Sequence, residues 1–171
     1  MLTVNDFLEQ NAGDPRFDKS LNLRVLEALP GQPAAVKERL VREFMEIVCD
    51  SEERGARRLN SMHILCFYCG TLGIKGSVPI SKALSRVVKA EFLAGQQLGI
   101  HEELEWPKGR STATEFMHMN FLRALLTTIV LINPGLGLQT CCDTAKVINR
   151  SRVNVWLRKL IAQALRSLGQ Q

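Results

Sequence analysis

Between Ala34 and Cys49, Val36, Leu40, Phe44, Ile47 and Val48 recur at steps of three and four, with Lys, Arg and Glu on the opposite side. Apolar residues at that period line one face of an α-helix, and each such stripe has to be buried against another element. The pattern returns along most of the chain in pieces of helical length. The pieces are cut by Asp14-Pro15, Pro30-Gly31-Gln32-Pro33, Gly70 to Gly76, Trp106-Pro107-Lys108-Gly109 and Asn133-Pro134-Gly135-Leu136-Gly137.

Short amphipathic helices are expected at 3–10 and 21–29, and longer ones at 34–49 and 55–72. The next is well punctuated. Ser77 can cap it, Pro79 suits its first turn, and Ile80, Leu84, Val87, Val88 and Leu93 follow at helical spacing. Thr112 and Glu115 form a capping-box pattern ahead of Met117, Phe121, Ala124, Leu125 and Ile129. A strand competes for this stretch, because Met117, Met119 and Phe121 also alternate and residues 127–132 are rich in β-branched side chains. The last stripe, Leu157, Leu160, Ile161, Ala164, Leu165 and Leu168, stops at Gly169. These signals imply an all-α fold, a compact bundle of six or seven helices forming a single domain over 1–171. The alternative is a helix-rich α+β fold with strands near 84–132.

With 46% hydrophobic and 23% charged residues among 171, the chain should fill a core without metal or disulfide and be ordered nearly throughout. Met1 to Gln10 has neither a basic region nor an apolar core, so no secretory signal is expected. The longest apolar run, Ala124 to Ile132, falls short of the roughly 18 residues of a membrane span. Five cysteines, an odd number, read as reduced thiols. A soluble protein of the cytoplasm or another reducing compartment, the nucleus included, is the expectation.

Recognisable catalytic signals are missing: there is no G-x-S-x-G, H-E-x-x-H or Walker lysine loop. Gly135-Leu136-Gly137 lacks a third glycine and reads as a loop. His63, His101 and His118 lie in three different segments, and Glu102, Glu103 and Glu105 beside His101 read as a solvated face. His63, Cys66 and Cys69, with Cys141-Cys142 elsewhere, raise the question of a zinc site. On a helix, however, 63, 66 and 69 fan across about a third of the circumference, and free cysteine is a common core residue. The expectation is therefore a protein that is not an enzyme and carries no metal or cofactor.

Charge is the most informative remaining feature. The net value is +5, yet after Asp143 the chain holds Lys146, Arg150, Arg152, Arg158, Lys159 and Arg166 and no acid. A basic amphipathic segment over 143–169 attracts phosphate, an acidic protein face or an acidic membrane surface. Within it Ala145 is followed four residues on by Asn149, which tolerates a left-handed turn, then by Ser151 at a capping position and by Val155. The stretch 144–158 resembles a helix-turn-helix, a motif whose first helix braces a second that enters the major groove. It departs from the motif at Arg150 and Arg158, where an apolar side chain is usual.

The resemblance implies that Arg152, Asn154 and Arg158 face base edges and that Lys159 meets phosphate. The competing reading is one continuous basic helix. Arg54, Arg57 and Arg58 form a possible second basic cluster. The function expected from sequence is thus binding of DNA or RNA by a helical protein, with self-association because the helix near 112–132 is apolar on more than one face. The alternative is a helical interaction or assembly protein, such as a viral accessory or structural component, whose tail meets an acidic partner.

Overall fold

A computed structural model describes residues 2–8, 23–53, 56–97, 113–147 and 155–170. Every regular element among them is helical: α1 (Val4–Leu8), α2 (Leu23–Ala28), α3 (Ala34–Cys49), α4 (Ala56–Phe67), α5 (Val78–Gln97), α6 (Ala113–Ile132), α7 (Pro134–Val147) and α8 (Val155–Gly169). The fold is all-α, and 113–132, the stretch open to a strand reading, is helix. No described helix is long and apolar enough to cross a membrane. The helices divide into two compact units, Met1–Ile74 and Lys75–Gln171, with no linker-like composition at the boundary.

In the first unit α1 packs against α2, α3 and α4, and α3 packs along α4. The stripe of α3 delivers Leu40, Phe44 and Val48 to the core, where Phe44 meets Phe7 edge to face at 5.6 Å. Helix α1 is started by Thr3, whose backbone N–H and hydroxyl both donate to the Asp6 carboxylate. These bonds hold the Asp6 carboxyl below its ordinary value. The Arg39 guanidinium ties the chain start to α3 by donating to the Leu2 carbonyl.

Helix α4 stops at Phe67, five residues before the sequence pattern suggests. Beyond it the backbone closes in turns, with Leu72 N–H donating to the Tyr68 carbonyl and Ile74 N–H to the Cys69 carbonyl. Gly73, at φ 70°, makes this reversal feasible, because that region is strained for other residues. Leu72 and Ile74 thereby stay buried although they have left the helix.

The second unit is a four-helix arrangement centred on α6, which touches α5, α7 and α8. Helix α5 begins as its local signals indicate: the Ser77 hydroxyl accepts from Ile80 N–H at 3.5 Å, with Pro79 in the first turn. The N–H of Gly76 donates to the Ile132 carbonyl at 2.7 Å, and Glu91 lies beside His118. The start of α5 therefore meets the end of α6, and the two run antiparallel. The Ser85 and Thr140 hydroxyls, 2.9 Å apart, join α7 to α5. Leu168 of α8 approaches Gly135 of α7, so α8 turns back again.

Residues 133–137, read from sequence as a loop, are a one-residue joint followed at once by helix. Asn133 receives the last bond of α6, from its N–H to the Ile129 carbonyl. It then caps α7, its Oδ1 accepting from Leu136 N–H at 3.1 Å. Pro134 fits because the first helical position needs no N–H. Gly137 is required by packing: a Cβ there would lie 2.6 Å from the Val130 Cα. Phe121, Leu122, Leu125, Leu126, Ile129 and Val130 of α6 are all buried.

Candidate nucleic-acid interface

The core contacts of α8 decide which way its charges point. Leu157, Leu160 and Ala164 are buried, which turns the opposite face outward. That face carries Arg158, Lys159 and Arg166, all exposed, together with Val155 at 59% and Leu165 at 54% exposure. Arg166 lies in the last turn of α8 and complements the negative end of its macrodipole. Trp156 is half-buried, with the Arg123 guanidinium of α6 5.4 Å from its ring centre, and so fastens α8 to the unit by a cation–π contact.

Lys146 ends α7, exposed and 2.9 Å from Asp143 Oδ1. Gln139 donates to the same carboxylate, and these two bonds, with the nearby charges of Lys146 and Lys89, keep the Asp143 carboxyl below its ordinary value. Arg150, Arg152 and Asn154 lie outside the described residues, as do Asn149 and Ser151, where the helix-turn-helix resemblance puts its turn. Helices α7 and α8 bracket that stretch. Arg158, at a position the motif usually buries, is at the surface here.

Of the expected second cluster, the described members differ: Arg57 is exposed and Arg58 is buried. Arg54 lies outside the described residues. Arg57 is held between the Glu53 carboxylate at 3.5 Å and the Asn5 side-chain oxygen at 3.3 Å. Arg58 is only 8% exposed and donates from Nε to the Val48 carbonyl at 2.9 Å. It satisfies one of the carbonyls that α3 leaves open at its C-terminus, a structural task that removes it from the candidate interface.

Helix α5 carries basic residues that were not singled out in the sequence. Lys82, Arg86 and Lys89 are exposed at i, i+4 and i+7, one stripe along the helix. Glu91 does not oppose them, because it is buried against His118, with 3.3 Å between Oε2 and Nδ1. The 3.6-residue spacing was legible, but the acid-free tail outweighed it. Charge is divided accordingly. Residues 75–171 hold 13 Lys and Arg against 6 Asp and Glu, a balance of +7, whereas 1–74 hold 9 against 11, a balance of −2.

The thiols do not gather. Cys66 and Cys69 are buried in the first unit, and the His63 ring is tilted against Phe67 at 5.7 Å. Burial pushes the Cys141 thiol up to about 12, with the neighbouring Cys142 adding to the shift, so it is protonated at neutral pH. Among the described residues no group of three or more His, Cys, Asp or Glu side chains is placed to hold a metal ion. His101, Glu102, Glu103 and Glu105 lie outside the described residues, as does the contact between Thr112 and Glu115. Compared with protein-family models, with curated proteins and with solved structures, the chain matches none.

Proposed function

We propose that this is a non-enzymatic nucleic-acid-binding protein whose second unit meets phosphate through α8 and the residues leading into it. The observation that carries the reading is the orientation of α8. Its apolar side is consumed by the core, so Arg158, Lys159 and Arg166 are presented together with no acid on the helix. Cations held on a rigid element replace the counterions of a nucleic-acid backbone, and release of those counterions makes binding steeply salt-dependent.

The test is a salt titration of binding to duplex DNA, duplex RNA and single strands, repeated with the joint change Arg152→Ala, Arg158→Ala and Lys159→Ala. Arg158 and Lys159 are exposed and outside the core, so the variant should keep its helical circular-dichroism spectrum. It should lose binding to all sequences alike and show a flatter salt dependence. A triple variant that binds every nucleic acid as tightly as the parent overturns the reading.

The exposed Val155 and Leu165 beside these cations favour a second reading, an assembly protein whose α8 docks on an acidic protein or membrane surface. Binding to anionic vesicles or self-association by light scattering, in the absence of nucleic-acid binding, would select it.

A further inference from the structure

We infer that α5 is a second phosphate-binding arm, on which Lys82, Arg86 and Lys89 follow the backbone of a nucleic-acid strand without reading its bases. The inference rests on the nucleic-acid reading of this unit and extends it to a helix outside the C-terminal segment. The side chains of Ser81, Leu84, Val87 and Val88 are buried, which fixes the rotation of α5 about its axis. The stripe opposite them therefore cannot turn inward. Its three cations are exposed, and the one carboxylate of the described part of α5 is directed to His118 instead.

Length and chemistry both fit a backbone. Seven residues of helix rise by about 10 Å. Over that distance one strand of B-form duplex presents about three phosphates, at about 3.4 Å of axis each. The stripe offers three cations and no Asn, Gln or aromatic side chain that would read or stack on a base.

The stripe also has a continuation. Helix α5 packs on α7, with the Ser85 and Thr140 hydroxyls 2.9 Å apart, and Lys146 in the last turn of α7 pairs with the Asp143 carboxylate at 2.9 Å. Asp143 is then the single acid in this run of cations among the described residues, and it offsets part of their charge. An exposed basic stripe by itself is common on solvated helices. Here it shares a unit with the cations leading toward α8, and its helix packs on α7, which carries Lys146.

The experiment uses the full chain and a B-form DNA duplex, with affinity measured over a series of salt concentrations. The variant Lys82→Gln, Arg86→Gln, Lys89→Gln should lower the slope of log affinity against log salt by about 2 to 3, since each phosphate contact contributes about 0.9. The loss should be equal for duplexes of unrelated sequence. Lys75→Gln, an exposed cation outside α5, should leave the slope within about one contact of the parent.

Asp143→Asn should act in the opposite direction, steepening the slope and tightening binding. That gain cannot arise from damage to the fold. If the parent binds and the α5 variant keeps the parental slope, or if Asp143→Asn weakens binding, the second arm is overturned while the α8 reading stands. If the parent binds no B-form duplex, the second arm falls, while the α8 reading is decided by its own titration against duplex RNA and single strands.

Discussion

A guanidinium stays charged at neutral pH, so its effect depends on what surrounds it. Arg58 and Arg158 show the two extremes. Arg58 is buried against the last turn of α3, where the Val48 carbonyl needs a donor. Arg158 stands on the outer face of α8. Arg58→Ala should therefore destabilise the protein by about 1–3 kcal/mol, the cost of leaving a buried acceptor unsatisfied, without changing nucleic-acid affinity in the folded state. Arg158→Ala should change stability by no more than about 0.5 kcal/mol and weaken binding. Denaturant midpoints and binding isotherms for the two variants check both statements, and a stable Arg58→Ala protein with lost binding would contradict them. The difference was not readable beforehand. Arg57-Arg58 looks like a basic pair until the end of α3 is placed beside it.

At the scale of elements, the signals that could be read were those with local causes. The α3 stripe appears where its spacing puts it, and α5 starts at Ser77 because capping involves residues only three apart. Signals with a tertiary cause were misread. Asn133-Pro134-Gly135-Leu136-Gly137 contains the residues of a turn, yet Asn133 caps α7, Pro134 opens it, and Gly137 answers to the backbone of α6.

Gly137→Ala follows as a prediction. Ordinarily the change would favour a helix by about 1 kcal/mol. Here the added methyl meets main-chain atoms of Val130 that cannot swing aside, so the net effect should be a loss of about 1–3 kcal/mol. Gly135→Ala, whose nearest neighbours would be 3.6 and 3.9 Å away, should be close to neutral. Thermal unfolding of the two variants provides the comparison, and equal midpoints would show that α6 and α7 are less tightly apposed than described.

For the whole molecule, helical class was legible because apolar residues recur at a helical period almost from end to end. The boundary after Ile74 carries no signal of its own, since Gly70 to Gly76 resembles the other breaks in the sequence. The candidate interface was legible in part. Freedom from acids pointed to the tail, but only the burial of Leu157, Leu160 and Ala164 shows that Arg158, Lys159 and Arg166 face outward. The charge balances of +7 and −2 put the excess of cations in the second unit.

The enclosure of α6 has a consequence in time. Its amide protons between Phe121 and Val130 are hydrogen-bonded within a helix flanked by α5, α7 and α8, so water reaches them only when those neighbours have moved. Deuterium should therefore enter this stretch last, at rates approaching those of global opening of the unit. The ends of α8 should exchange orders of magnitude sooner. A uniform exchange rate across α5 to α8, followed by mass spectrometry, would contradict that order. If the order holds, the ends of α8 fray while the centre of the unit keeps its deuterium clock unchanged.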